Sequence, residues 1–567
     1  MSATRKPGHR GHFVAWVALL VAVYVLGGLL TWRRTLLPDE IRPLLLAAGP
    51  FAKQLEVARG DLVQTPAAWV MARVWLNVFG QTDTAAKAFA LVLGIATLIL
   101  FSILARRVTR HWRWAMLLGG AVFLRAGSSP NLVRMYGLTM LCCVAAMLLW
   151  DLWRERGRGG WLAGWVVCMA VAVNAHALTL LLLPAFVVAT WLRGPRRLLF
   201  TAAATIPALS LVPWILLVLP VYRERGVEAN VKSIADDPLK ATAKLPFYLL
   251  SGEAPGTESP LEELYIAHPI PSSLKWASLL LCVGIMGFSY GGRLGSRSGS
   301  LARTGGPVDG TGGEVSADAG RARNPDPSAG GGPESRQADE GGVRSPGWDL
   351  FAVILTAVPI GLLYLISMVW LPIVTARYLL GAVPAFWLML VIHAHRGGWP
   401  GRLALGLVAA WMLASAGLAI RLNRPLGPAR IAATRVAAEH QPGDLILIDR
   451  HNPLGWQFTW EWTRRLHEEG RLVIIDSPNR PAWLRDLLPG PLLGEFDPGG
   501  APRVWFVHWV PGLRDRIGDR LAGLGYRETG YGEPDVAVLS LFVRESSPPG
   551  VGGPVVQATS AALARPY

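Results

Sequence analysis

Two adjacent carboxylates, Asp39 and Glu40, follow the first long apolar run of the chain, in TWRRTLLPDEIRP. Carboxylates held against a bilayer are costly and mark a functional site by default. A low-dielectric boundary raises a carboxylate pKa toward the value a general base needs. The same oxygens suit a divalent cation, with Asp39 the one ligand expected for it. Other polar residues open or interrupt apolar runs: Arg134 and Tyr136 in NLVRMYGLTML, His176 in VNAHALT, and Arg377-Tyr378 in TARYLLG. Each has a plain alternative, since arginine snorkels to headgroups and a histidine at a turn is often structural. The chemical alternative for the arginines is a forked donor to phosphate oxygens.

The elements that position these residues are membrane spans. Hydrophobic residues make up 52% of the 567 and charged residues 17%, and the apolar ones come in blocks. A span needs roughly 20 mostly apolar residues. The blocks predict about eleven: 13–32, 85–105, 114–128, 134–151, 161–174, 177–192, 198–220, 273–290, 349–371, 377–394 and 402–420. The first is too long for a signal-peptide core and lacks a small-residue cleavage site, so it reads as a retained helix. Lys and Arg in alternate short loops (Arg5, Lys6 and Arg10; Arg106 to Arg113; Arg154 to Arg158; Arg193 to Arg197; Arg396 and Arg402) mark the cytoplasmic side. Asp39, Glu40, Arg134, Tyr136, His176, Arg377 and Tyr378 then all fall at the outer face. That convergence points to an enzyme working at the outer membrane surface. A stretch at 64–80 with Trp69, Trp75 and Phe79 predicts a helix lying along the same interface.

The net charge of +16 is largely this arginine collar. It fits topology and anionic membrane lipids, and no base-stacking motif argues for nucleic acid. The four cysteines (Cys142, Cys143, Cys168, Cys282) lie in apolar spans without metal-ligand spacing, so neither disulfides nor thiol chemistry is expected. Residues 291–346 are rich in Gly, Ser and Pro and read as a disordered cytoplasmic linker. It separates a membrane domain, 1–290, from further transmembrane helices at 347–420. Beyond 421 the pattern is that of a soluble unit. LILID, LVIID, VWFVHW and VAVLSLFV read as buried strands, with helices expected near 428–440, 455–467, 480–488 and 512–523. The fold class expected is therefore an all-α multi-pass membrane protein with a small exoplasmic α/β domain at 421–545, its sheet mainly parallel, and a disordered tail at 546–567. Asp449, Arg450 and His451 stand at the end of its first strand, where α/β ligand sites form, though a solvated strand end is the favoured reading.

In this setting the chain resembles the GT-C class of membrane glycosyltransferases, in the branch related to protein O-mannosyltransferases and the lipid A aminoarabinose transferase. Four stretches carry the resemblance in order over residues 1–420, the linker excepted: the first-loop PDE, VWLNVFGQTDTAAKAFALVLGIATLILFSILARRV, VRMYGLTMLCC and TARYLLGAVPAFWLML. The resemblance implies a bacterial cytoplasmic-membrane enzyme that takes a sugar from a polyprenyl-phosphate carrier at the outer face. Asp39 would be its first-loop catalytic carboxylate. Arg377 and Arg134 would meet the phosphate leaving group. The chain departs from the family pattern in two places. Gln64-Thr65-Pro66 stands where many relatives have His-Pro-Pro, and Arg42-Pro43 where an aromatic residue is common.

Two rival classes compete with this reading. An oligosaccharide polymerase or ligase of another fold would place its key Arg and His in a large outer loop, and the 221–272 loop offers little of the kind. A transporter or flippase would place ionisable residues near mid-bilayer in repeated halves, and no repeat is evident.

Overall fold

The computed structural model describes residues 8–30, 32, 44, 65–128, 136–193, 196–225, 280, 284–285, 347–369, 376–421, 428–449, 471–475, 496–508, 511–529 and 539–545. They form two compact units, one mostly helical and one built on a sheet.

The helical unit contains α1 (Gly8–Leu30), α2 (Pro66–Phe79), α3 (Asp83–Val108), α4 (Trp112–Ser128), α5 (Tyr136–Arg156) and α6 (Gly159–Ala175). A 3-10 segment, Ala177–Leu181, leads into α7 (Leu182–Arg193), followed by α8 (Arg197–Ser210) and α9 (Val212–Arg225). After α10 (Trp348–Val369), a second 3-10 segment, Ala376–Ala382, runs into α11 (Val383–Arg396) and α12 (Gly398–Arg421). Among the described residues, six helical stretches are long and apolar enough to cross a membrane: Gly11–Leu30, Asp83–Val108, Tyr136–Arg156, Arg197–Pro220, Trp348–Ile366 and Leu379–Arg396. The expected span at 273–290 falls almost wholly outside the described residues.

Exposure is inverted in the manner of a bilayer-embedded bundle. Leu198, Leu209, Leu216 and Val167 are more than half exposed, while Asp151, Ser102 and Thr190 are fully buried. Large exposed apolar patches of this kind mark contact with something other than water. Helix α2 is two-sided: Ala68, Trp69, Ala72 and Leu76 are buried, and Val70, Met71, Val74, Val78 and Phe79 are exposed.

One end of the bundle is held by a buried carboxylate. Asp151 on α5 accepts from Arg107 of α3, from Arg154 at 3.2 Å and from the Trp348 indole N–H at 2.6 Å. Glu155 adds a second partner for Arg107. Beside this cluster Trp150 stacks on Phe351 at 3.8 Å and donates to Thr190 at 2.9 Å. A buried acid with three donors from α3, α5 and α10 ties those helices at one level.

The second unit begins with α13 (Pro428–Glu439). Its strands are β1 (Leu445–Asp449), β2 (Arg471–Ile475), β3 (Arg503–Val507), β4 (Tyr526–Glu528) and β5 (Leu539–Arg544), with α14 (Pro511–Ala522) after β3. The strand order is β2-β1-β3-β5-β4. The first three strands are parallel, as the sequence suggests, but β5 runs antiparallel to both β3 and β4. Leu445, Leu447, Val504, Phe506 and Phe542 line one face and pack with Ile517 and Leu521 of α14. At the strand starts Asp444 is fully buried, taking two bonds from Arg503 (2.9 and 2.5 Å) and one from the Trp505 indole (2.9 Å). The helices expected near 455–467 and 480–488 lie outside the described residues.

Candidate functional site

At the end of the bundle opposite Asp151, Tyr136 and His176, two of the polar residues singled out above, come together. Helices α5 and α6 form an antiparallel pair turned by Gly157, whose φ of +65° suits glycine. This returns the end of α6 to the level where α5 begins, and the Tyr136 and His176 rings meet at 5.9 Å. At Asn174-Ala175-His176, where the sequence interrupts an apolar run, the helix ends. His176 leaves helical geometry (φ −149°, ψ 106°) while its N–H still bonds the Ala172 carbonyl at 3.0 Å. Its carbonyl then accepts from Thr179 at 2.9 Å and starts the 3-10 segment. His176 is 2% exposed.

Two contacts invisible in sequence fix this break. The Asn174 side-chain amide donates to the Ser210 hydroxyl at 2.7 Å and to the Ala170 carbonyl at 2.9 Å. Ser210 donates in turn to the Pro207 carbonyl at 2.7 Å, where α8 gives way to α9. Thr65, buried just before α2, reaches the Val173 carbonyl at 3.4 Å. Polar side chains thus bridge three irregular points of backbone, which is how non-helical backbone survives at membrane depth.

The second 3-10 segment packs against the first and against α5. Gly381 makes the approach possible: a Cβ there would lie 2.6 Å from Leu182 Cδ1 and 2.9 Å from Cys143 Sγ. Between the two segments and the middle of α10 is a narrow cleft with a cavity volume of about 10 Å³, room for about one water. Thr179, Leu182, Pro359, Leu379, Gly381 and Ala382 are among its lining residues. It is far smaller than pockets that enclose a whole ligand, and Thr179 is the one polar side chain among its lining residues.

The backbone of Arg377 and Tyr378 belongs to this second segment, which packs on the first and on α5. Asp39, Glu40 and Arg134 lie outside the described residues, as do Arg450 and His451. Among the described residues there is no group of three or more His, Cys, Asp or Glu able to hold a metal ion.

In the sheet unit, sequence reasoning overlooked His508. It follows β3 directly, beside the end of β1, and is 5% exposed, with its Nε2 3.0 Å from the Ser540 hydroxyl. Burial, helped by Arg514, pushes its pKa down to about 4. A histidine closing an apolar strand run was the available signal.

No protein-family model matches the chain, and no curated protein matches it. Among solved structures it is similar to ArnT from Cupriavidus metallidurans, crystallised bound to undecaprenyl phosphate. The identity is 14% and the TM-score 0.50, over 94% of this chain and 98% of that one. At such identity the likeness is one of fold.

Proposed function

We propose, taking the fold shared with ArnT as premise, that this protein is a membrane glycosyltransferase moving a sugar from a polyprenyl-phosphate donor to an acceptor. Its site faces the outer side of a bacterial cytoplasmic membrane, the chain crosses that membrane about eleven times, and the sheet unit lies outside. The observation that carries the reading is a fold similarity running over nearly the whole of both chains, to a protein crystallised with undecaprenyl phosphate. The Tyr136–His176 contact and the packing of the Arg377-bearing segment on α5 support it.

The chemistry follows from the residues. Attack on an anomeric carbon needs a proton removed from the acceptor hydroxyl, and Asp39 is the general base, with Glu40 beside it. Charge grows on the departing phosphate as the oxocarbenium-like transition state forms, and Arg377 and Arg134 stabilise it. Tyr136, His176 and Tyr378 border the donor. Asp39 is also where a divalent cation would be held through its oxygens.

The test compares wild type with Asp39→Asn, both purified, for transfer or hydrolysis across a panel of polyprenyl-phosphate sugars. Turnover by wild type that is lost in a normally folded Asp39→Asn supports the reading and names the sugar. Turnover that survives the substitution removes Asp39 from the centre. Absence of turnover with every donor and acceptor overturns the transferase itself.

A further inference from the structure

The carboxyl ends of the parallel strands, within the sheet unit alone, carry a second set of chemically able groups. The chain leaves β1 for β2 on one side and returns to β3 on the other. Where a parallel sheet reverses direction in this way, a crevice opens beyond the carboxyl ends of the two strands, and ligands bind there. His508 is the first residue past β3 at this point. Its ring lies 5.1 Å from that of Phe506 and nearly parallel to it, on the sheet face that packs against Ile517 and Leu521 of α14.

The two ring nitrogens differ. Nε2 is 3.0 Å from the Ser540 hydroxyl on β5. Strand β5 lies across β3 from β1, so the Nδ1 edge of the ring is turned away from Ser540, to the β1 side. Nδ1 is buried, in a residue only 5% exposed, and has no hydrogen-bond partner among the described residues. An unpaired polar atom at that depth is costly and calls for a reason.

Helix α14 begins three residues after His508, over the same face. Its first turn contains no acid, and Trp509 and Val510 before it carry no side-chain oxygen, so neither supplies a cap for the N–H groups of Gly512 and Leu513. Uncapped N–H groups at the positive end of a helix dipole suit a phosphate. Arg514, one residue further, is taken up by Glu528 at 2.9 Å. Asp449 ends β1 one register step past the Ile448–Val507 pair. A carboxylate residue at that position suits hydroxyl groups, so a phosphate ester that also carries hydroxyls fits this end better than a bare anion.

We propose that His508 and the amino-terminal turn of α14 bind a phosphate group at the carboxyl ends of β1 and β3, with a sugar phosphate as the favoured source and free phosphate as the other. The Ser540 hydroxyl donates to Nε2, which leaves the ring proton on Nδ1 to be donated to a phosphate oxygen. Burial and Arg514 keep the ring neutral at neutral pH, so this one tautomer suffices. The site belongs to the sheet unit and does not depend on the sugar-transfer reading.

The experiment uses the full chain, nitrogen-labelled in its histidine rings, in a phosphate-free maltoside micelle at neutral pH. Glucose 1-phosphate or inorganic phosphate is added at matched ionic strength and followed by NMR. The expected result is a saturable shift of one ring signal of the Nδ1–H tautomer, a signal missing in His508→Phe. Val510→Asp adds a carboxylate just before α14, which caps the helix and takes the same N–H groups. It should retain the fold and weaken phosphate binding about tenfold or more. Tighter binding of glucose 1-phosphate assigns the site to the ester, and equal binding of the two assigns it to the phosphate group alone. A His508 signal unmoved by both, or moved with undiminished affinity in Val510→Asp, overturns the proposal.

Discussion

Gly381→Ala tests whether the two 3-10 segments meet as closely as described. The new methyl would stand 2.6 Å from Leu182 Cδ1 and 2.9 Å from Cys143 Sγ, where ordinary carbon contacts begin near about 3.5 Å. About an ångström of overlap must be relieved at Leu182. Cys143 is fully buried, and Leu182 is 2% exposed but borders the small cleft into which its end can shift. Overpacking of this kind costs about 1–3 kcal/mol. Loss of glycine freedom from the unfolded chain returns about 0.4–1 kcal/mol, since Gly381 does not need a positive φ. The net expectation is a destabilisation of about 0–2.6 kcal/mol, so the coupling with Leu182 is the sharper readout. Leu182→Ala alone leaves a cavity and costs about 2–5 kcal/mol. In the double variant the methyl added at Gly381 enters that cavity, so the two changes couple favourably by about 1 kcal/mol or more. Reversible unfolding in mixed micelles, run on all four proteins of the cycle, reads this directly. A double variant equal to the sum of the singles within about 0.5 kcal/mol would refute the close approach.

Two further outcomes follow from buried groups. Asp151→Ala removes the shared acceptor of Arg107, Arg154 and the Trp348 indole, and should cost about 3–5 kcal/mol in the same unfolding assay; a loss below about 1 kcal/mol would show the clasp to be incidental. His508 carries a pKa of about 4 when folded and about 6.5 when unfolded, so the unfolded state binds the proton more tightly. The sheet unit is therefore unaffected by this group above about pH 6.5 and loses up to about 3 kcal/mol as pH falls toward about 4. Hydrogen exchange of the β3 and β5 amides, corrected for intrinsic rates, should show that loss in wild type and a flatter profile in His508→Gln; parallel profiles would remove His508 as the cause.

The helices were legible because bilayer thickness demands long apolar runs, and hydropathy averages over stretches of that length. The same averaging hides interruptions. The run 198–220 reads as one span, yet the chain breaks at Leu211 between α8 and α9. The start of the 377–394 run is a 3-10 segment, a form set by its packing on Leu182 and Cys143 and by Pro384 opening the next helix. The convergence of Tyr136 with His176 could be drawn from topology alone, since two antiparallel helices of similar length return to one level. The Asn174–Ser210 bond could not, because 36 residues separate its ends and no local pattern joins them. In the sheet unit, four strands announce themselves as apolar runs. β4 is three residues, Tyr-Arg-Glu, and is recognisable only by its pairing with β5, which also turns that half of the sheet antiparallel.

Helix α11 is enclosed to an unusual degree: every residue from Val383 to Ala394 is buried. The stretch that contains it, Leu379–Arg396, has a mean hydropathy of 1.4, against 2.5 for Gly11–Leu30 at the other end of the chain. Surrounded by protein, it has little need of an oily exterior. The consequence is felt during synthesis. As α11 leaves the ribosome it is the poorest candidate of the six to partition into lipid unaided, and α12, one of its packing partners, has yet to be made. The tight elbow at Gly398 and Gly401 delivers α12 at once, so the natural unit of insertion here is the hairpin.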